Sequence, residues 1–226
     1  ETGFVLAVGF GESFADLNCL SCDSIRGRGG TLAPDLSWEG SQVQPRWLAS
    51  FLRNPDTIRL NLVERMPKFR LSESEAAALA RQIELLLADD SISRLTRSYP
   101  SWKGDSREGK RLYAERGCGA CHQSGAEGGS IGPELTHVGS RLTSGWIFSW
   151  LKNPQKYRPD TVEPNHGFSD AEAAALTAYL SGWSSLKPRL PAERLIQLGV
   201  PPGPAIGECL SRLRAARVDG ETHSIE

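Results

Sequence analysis

The sequence of 226 residues repeats itself at a fixed distance, and this repeat constrains the fold more than any other feature. The matching residues, which include cysteines, a tryptophan and an Asn-Pro dipeptide, lie 99 residues apart: Cys19 and Cys118, Cys22 and Cys121, Trp47 and Trp146, Asn54 and Asn153. In the last third of each copy the offset becomes 97. A repeat of this length indicates two copies of one folding unit, so we expect a tandem duplication.

Each copy has the pattern of helices joined by loops. The predicted helices include Pro45 to Leu52, a segment that starts at Ser72, Arg107 to Glu115, Ser144 to Leu151, and Ser169 to Leu180. Ser72 and Glu75 have the spacing of a capping box, and no alternating strand pattern competes. The sequence therefore predicts an all-α chain with a first domain at 1–88, a polar linker at 89–106, a second domain at 107–183 and a helical C-terminal extension at 184–226.

The charge of the chain argues against nucleic-acid binding, and its hydropathy argues against a transmembrane segment. The 26 basic and 27 acidic side chains leave a net charge of −1, which gives no field that would gather nucleic acid. The longest apolar run, Phe4 to Phe10, is far too short for a membrane-spanning helix. We expect no nucleic-acid partner and no transmembrane segment in this chain.

The second copy contains the motif Cys118-Gly119-Ala120-Cys121-His122. In a Cys-x-x-Cys-His motif the two thiols bond to the heme vinyl groups and the adjacent imidazole binds the iron. A zinc half-site or a disulfide are the alternatives, but the first copy offers only Cys19 and Cys22 as further zinc ligands. The motif therefore predicts a heme c site at Cys118, Cys121 and His122.

With these motifs the sequence resembles the class I cytochrome c superfamily, over 11–86 and 107–179. The resemblance implies a helical bundle around heme c, with Pro133 of the Gly-Pro-Glu-Leu loop on the proximal side of the heme. It implies that Arg141 reaches a heme propionate. It also implies an extracytoplasmic location, periplasmic or equivalent, because c-type heme is normally attached after export.

The resemblance further implies a Met-Pro pair whose methionine binds iron from the distal side, and here the two copies differ. The first copy has Met66-Pro67, but Asp23 replaces its proximal histidine. The second copy keeps His122, but Glu163 replaces its methionine, and Met66 is the single methionine of the chain. Each copy has lost a different axial ligand.

The sixth iron ligand of the second copy therefore has several candidates. His166 would give bis-histidine ligation and a lower potential than His/Met, whereas Glu163 would bind as a carboxylate. The position is otherwise open or filled by water, or Met66 is donated by the first copy.

The first copy has its own alternatives. Asp23 indicates that Cys19 and Cys22 carry no heme, and a disulfide between them is the main alternative. A heme bound through Met66 with an unusual proximal side is the other alternative, and Met66 as plain core packing a third. We therefore expect one heme c, with two as the alternative.

The C-terminal segment from Arg194 resembles the last helical part of tRNA nucleotidyltransferases. Residues 189–226 hold five arginines and five acidic residues, so they offer no basic patch for RNA, and the activity of that family is not transferred. A helix over 208–216 that docks through Leu210, Leu213 and Cys209 is the expectation.

Taken together, these features favour one-electron transfer through heme c, as a subunit or partner of a respiratory or photosynthetic complex. No catalytic constellation of side chains is recognisable, so an electron carrier is preferred to a stand-alone enzyme. A heme enzyme or gas sensor with an open distal site is one alternative. A structural or interaction subunit whose first domain has lost its heme is the other.

Overall fold

The structure is a computed structural model and describes residues 14, 16–55, 58, 66–124, 127–185, 192–207 and 209. The predicted docking helix over 208–216, except Cys209, therefore lies outside the described residues, as does most of the segment that leads into Cys19.

The described part of the chain is mostly helical. Its α-helices run as follows: α1 Glu39–Gln42, α2 Pro45–Arg53, α3 Glu73–Leu86, α4 Asp90–Trp102, α5 Ser106–Glu115, α6 Val138–Arg141, α7 Ser144–Lys152, α8 Pro154–Tyr157, α9 Asp170–Ser185 and α10 Ala192–Gln197. Two 3₁₀ turns cover Cys19–Ser21 and Cys118–Ala120. Each turn is followed by a two-residue antiparallel hairpin, β1 Ser24–Ile25 with β2 Arg28–Gly29 and β3 Gln123–Ser124 with β4 Glu127–Gly128.

The helix starts follow from local side-chain chemistry. Glu75 N donates to Ser72 Oγ at 3.3 Å and Ser72 N donates to Glu75 Oε2 at 2.8 Å, which completes the predicted capping box of α3. Ser169 and Glu172 make the same pair of contacts before α9. These contacts satisfy backbone N–H groups that a first helical turn leaves without a partner.

The structure departs from the predicted extent of two segments, and it adds short strands to the helices. The segment predicted as a polar linker contains helix α4, which begins because Asp89 caps it by accepting from the N–H groups of Ser91 and Ile92. Helix α9 does not end at Leu180, as predicted, but continues to Ser185. Short strands are also present, because the Gly-rich turn after each 3₁₀ turn folds back on itself.

The apolar side chains form separate clusters in the two halves of the sequence. The first-half cluster consists of Phe14, Ile25, Val43, Leu48, Leu52, Ala76, Leu79, Ala80, Ile83 and Leu87. In the second half, α5 crosses α9 at very short range, because a Cβ at Gly109 would lie 2.1 Å from the backbone oxygen of Ala175. Only glycine permits this approach.

The two halves meet through backbone hydrogen bonds and aromatic packing. Val43 and Leu142 form an isolated antiparallel bridge. Trp38 of the first half packs edge-on against Tyr157 of the second, with ring centroids 5.5 Å apart. Ile92 of α4 is fully buried in the same cluster as Trp146 and Tyr157. The segment between the halves is therefore part of their junction.

Within the described residues, no helix combines the length and the apolar character that crossing a membrane requires.

Candidate functional site

The 3₁₀ turn Cys118–Ala120 presents the two cysteines of the second half. Gly117 enters the turn with φ of 67°, a conformation that favours glycine. Cys118 is half-buried and Cys121 is exposed, and both are free thiols. Burial, followed by the charge of Glu163, raises the pKa of Cys118 to about 11, so its sulfur is protonated at neutral pH.

His122 is held in one orientation by the loop that follows it. Its Nδ1 lies 2.8 Å from the backbone oxygen of Pro133. Because a carbonyl oxygen only accepts hydrogen bonds, Nδ1 carries a proton and donates it to Pro133. Nε2 is therefore the ring nitrogen that would bind a metal, through its lone pair in the neutral imidazole. The predicted proximal role of Pro133 is consistent with this contact.

Gly132 makes room for the imidazole. A Cβ at this position would lie 2.5 Å from both Cε1 and Nδ1 of His122 and 2.9 Å from Nε2. Side chains do not approach one another so closely without displacement. The ring therefore packs directly on the backbone of the Gly-Pro-Glu-Leu loop.

Glu163 faces the second ring nitrogen of the imidazole, Nε2. Its Oε2 lies 3.2 Å from His122 Nε2. The backbone of Glu163 is fixed on both sides, since its N–H donates to Thr161 Oγ1 at 3.2 Å and its carbonyl accepts from Gln155 Nε2 at 2.7 Å. The carboxylate thus lies on the Nε2 side of His122, the side on which a metal would bind.

The other candidate ligands lie in different surroundings. The ring of His166 packs against Phe168, with centroids 5.1 Å apart. Met66 packs against the apolar cluster of the first half, and so does Cys19. Glu163, in contrast, contacts His122 directly.

Arg141 lies at the junction of the two halves. Its Nη2 donates to the backbone oxygen of Glu134 at 3.3 Å. It also interacts with the partly buried Glu39 of the first half. Burial, with a smaller contribution from nearby Asp23, raises the pKa of Glu39 to about 7, although the charge of Arg141 lowers it.

The corresponding turn of the first half has two cysteines but no histidine after them. Cys19 is half-buried and Cys22 is exposed, and both are free thiols. Burial, with a smaller contribution from Asp23, raises the pKa of Cys19 to about 11. Asp23 stands where the second half has His122, and burial raises its pKa to about 6.

The sequence pattern did not single out Gly132 as a site residue or Glu39 as a charged residue at the junction. The signal for Glu39 was its departure from the repeat, because Val138 takes its place in the second half. The signal for Gly132 was that the equivalent position in the first half holds a different residue, Ala33.

A zinc site is not supported in the described part of the chain. There, no group of three or more His, Cys, Asp or Glu side chains is arranged to hold a metal ion. The donor set around His122 fits heme c instead: two unbonded thiols on one turn, an oriented imidazole nitrogen, and a glycine where a side chain would displace the ring.

Comparison with known proteins gives one positive result. Residues 106–184 match the family model described as Cytochrome c. A search of curated proteins found no match. The matched segment is a cytochrome c domain, and such a domain implies covalently bound heme c and electron transfer.

Proposed function

Starting from the cytochrome c domain at residues 106–184, we propose that the chain is a one-electron carrier with a single heme c, in its second half. The first half is a duplicate of the same unit that has lost its heme and now supports the second. The carrier works as a subunit or partner of a respiratory or photosynthetic complex outside the cytoplasm.

The orientation of His122 carries this proposal. Donation from Nδ1 to Pro133 leaves Nε2 as the ring nitrogen that would bind a metal, on the residue directly after the second cysteine of the motif. Histidines that ligate metals are commonly held by such a hydrogen bond on the second ring nitrogen.

Each residue of the site has a separate task. Cys118 and Cys121 would hold a heme through thioether bonds, and His122 would bind its iron. The heme would supply the Fe(III)/Fe(II) couple. Pro133 and Gly132 fix the ring plane of the imidazole, and Glu163 faces its Nε2.

Glu163 is the residue we propose for the distal position, in preference to His166 or Met66. Its backbone is anchored at both the N–H and the carbonyl, so its carboxylate is delivered to one place. An anionic oxygen ligand favours the ferric state, which lowers the reduction potential relative to a methionine ligand.

The first half is proposed to be heme-free. Asp23 cannot provide the proximal imidazole, and Cys19 and Met66 pack against the same apolar cluster. Its contacts with the second half, through Val43 and Leu142 and through Glu134 N, which donates to Ile58 O at 3.0 Å, support a structural role.

The test is a potentiometric titration of the purified protein followed by absorbance, with His122→Ala beside it. The proposal predicts one reversible one-electron transition in the wild type and its loss in His122→Ala. The matched variant His166→Ala keeps a one-electron transition, because His166 packs on Phe168 rather than on the imidazole. A wild-type chain without a redox transition would refute the proposal.

A second function, a heme enzyme or gas sensor, is favoured by the same observation on Glu163. A carboxylate is displaced from ferrous iron more readily than a methionine sulfur, which would let a diatomic ligand bind. Carbon monoxide added to the reduced protein separates the two: rapid, complete binding at low concentration favours the sensor or enzyme, and no spectral change favours the carrier.

A further inference from the structure

We propose that Ala33, together with Asp23, keeps an imidazole out of the first half, and that Gly132 is the positioning residue that seats His122 in the second. This inference rests on the proposed function, since it concerns which half can hold a heme-binding histidine.

The ring of His122 fills the space beside Gly132. A Cβ there would lie within 2.9 Å of three atoms of the His122 ring, and within 2.5 Å of two of them. The ring cannot retreat without losing the 2.8 Å contact between Nδ1 and Pro133 O. Glycine is therefore required at position 132 as long as an imidazole occupies position 122.

The first half repeats two backbone hydrogen bonds of the second half around the equivalent positions. Ala33 N donates to Cys22 O at 3.0 Å, and Gly132 N donates to Cys121 O at 2.7 Å. Three residues further along the loop, Leu36 N donates to Ser24 O at 2.8 Å, and Leu135 N donates to Gln123 O at 2.9 Å. In both halves these hydrogen bonds join the loop to the turn. Position 33 therefore lies next to position 23 as position 132 lies next to position 122.

The methyl group of Ala33 consequently lies where the ring of an imidazole at position 23 would have to pack. The shorter side chain of Asp23 avoids this overlap. The two positions differ between the halves in a matched way, glycine with histidine and alanine with aspartate. Replacement of Asp23 by histidine alone would not restore the geometry of the second half.

The first experiment compares Gly132→Ala with Gly119→Ala in the holo-protein. A Cβ at Gly119 would meet one atom, at 3.9 Å, so this variant adds a methyl group on the same turn without overlap. We expect Gly119→Ala to keep the wild-type ferric spectrum and melting temperature. We expect Gly132→Ala to change the ferric spectrum and to lower the melting temperature on the order of 5 °C.

A wild-type spectrum and melting temperature in Gly132→Ala would overturn the positioning role. That result is distinct from a failure of the proposed function, which would show as a wild-type protein without heme.

The second experiment is a double-mutant cycle that does not depend on Gly132→Ala folding. Melting temperatures are measured for wild type, Ala33→Gly, Asp23→His and the double variant. Ala33→Gly alone lowers the melting temperature, because glycine increases the freedom of the unfolded chain.

If Ala33 excludes the imidazole, the same substitution raises the melting temperature in the Asp23→His background. A second decrease there, equal to the decrease in the wild-type background, contradicts the proposal.

Discussion

Val43 and Leu142 pair with each other across the junction, although each is the residue that takes the other's place in its own half. On either side of the bridge, Gln44 N donates to Arg141 O at 2.7 Å and Thr143 N donates to Gln42 O at 2.9 Å. The two hydrogen bonds are equivalent under exchange of the halves. The junction has the form of an isologous interface, as found between identical subunits related by a two-fold axis.

Thr143 tests how strongly this junction holds the halves together. Its Oγ1 donates to Ser41 O at 2.6 Å and accepts from Trp146 N at 3.2 Å, in a buried position. Thr143→Val keeps the shape but leaves Ser41 O and the helix start without partners. We predict a loss of about 2 kcal/mol in the free energy of unfolding, measured by denaturant titration.

The control for Thr143 is Ser72→Ala, which removes an exposed cap away from the junction. We expect a loss of about 1 kcal/mol. An effect of Thr143→Val no larger than this control would show that the contact across the junction contributes little.

The second prediction concerns the effect of Glu163 on the reduction potential. In Glu163→Met, a thioether replaces the carboxylate at the side of His122 where Oε2 lies 3.2 Å from Nε2. Because methionine favours ferrous iron, we predict a rise in reduction potential on the order of 100 mV. Potentiometric titration measures this shift.

The exposed Glu127→Gln is the control for loss of one negative charge in the same half. Its potential is expected to change far less. Equal potentials in wild type and Glu163→Met would exclude Glu163 from the distal position.

Glu39 gives a prediction on pH. Its pKa is raised from 4.5 to about 7 by burial, so between these values the folded chain holds a proton that the unfolded chain has lost. The stability contribution of Glu39 therefore decreases as pH rises through this window. Arg141 lowers the pKa and Asp23 raises it, and both are included in the net shift.

Glu39→Gln cannot lose a proton, so its stability falls less between pH 5 and pH 8. We predict that the free energy of unfolding falls by about 2 kcal/mol less in the variant than in the wild type over this range. Denaturant titration at both pH values measures the difference. Parallel pH profiles for the two proteins would mean that Glu39 is not buried as described.

The sequence was most informative where local chemistry decides the structure. The capping box at Ser72 and Glu75 formed as predicted, because it needs only residues three positions apart. The 3₁₀ turns are also repeated at the expected offset, with Asn18 and Gly117 both in the left-handed conformation at their starts. Patterns of this kind are predictable because the residues that form each contact are close together in the sequence.

The sequence was least informative where distant parts of the chain meet. Helix α4 was missed because Pro100 and Gly104 indicate a loop, yet Pro100 sits near the end of the helix and Ile92 is buried at the junction. The contact of Glu163 with His122 joins residues 41 positions apart, so the sequence left it as one of several candidates. Spacing alone could not rank Glu163 above His166.

The number and place of covalently bound hemes test the account most directly. The mass of the denatured chain is measured for wild type, for Cys118→Ala with Cys121→Ala, and for Cys19→Ala with Cys22→Ala. We predict one heme per wild-type chain, its loss in the second-half variant and its retention in the first-half variant. Two hemes per chain, or a heme that survives removal of Cys118 and Cys121, would contradict the account.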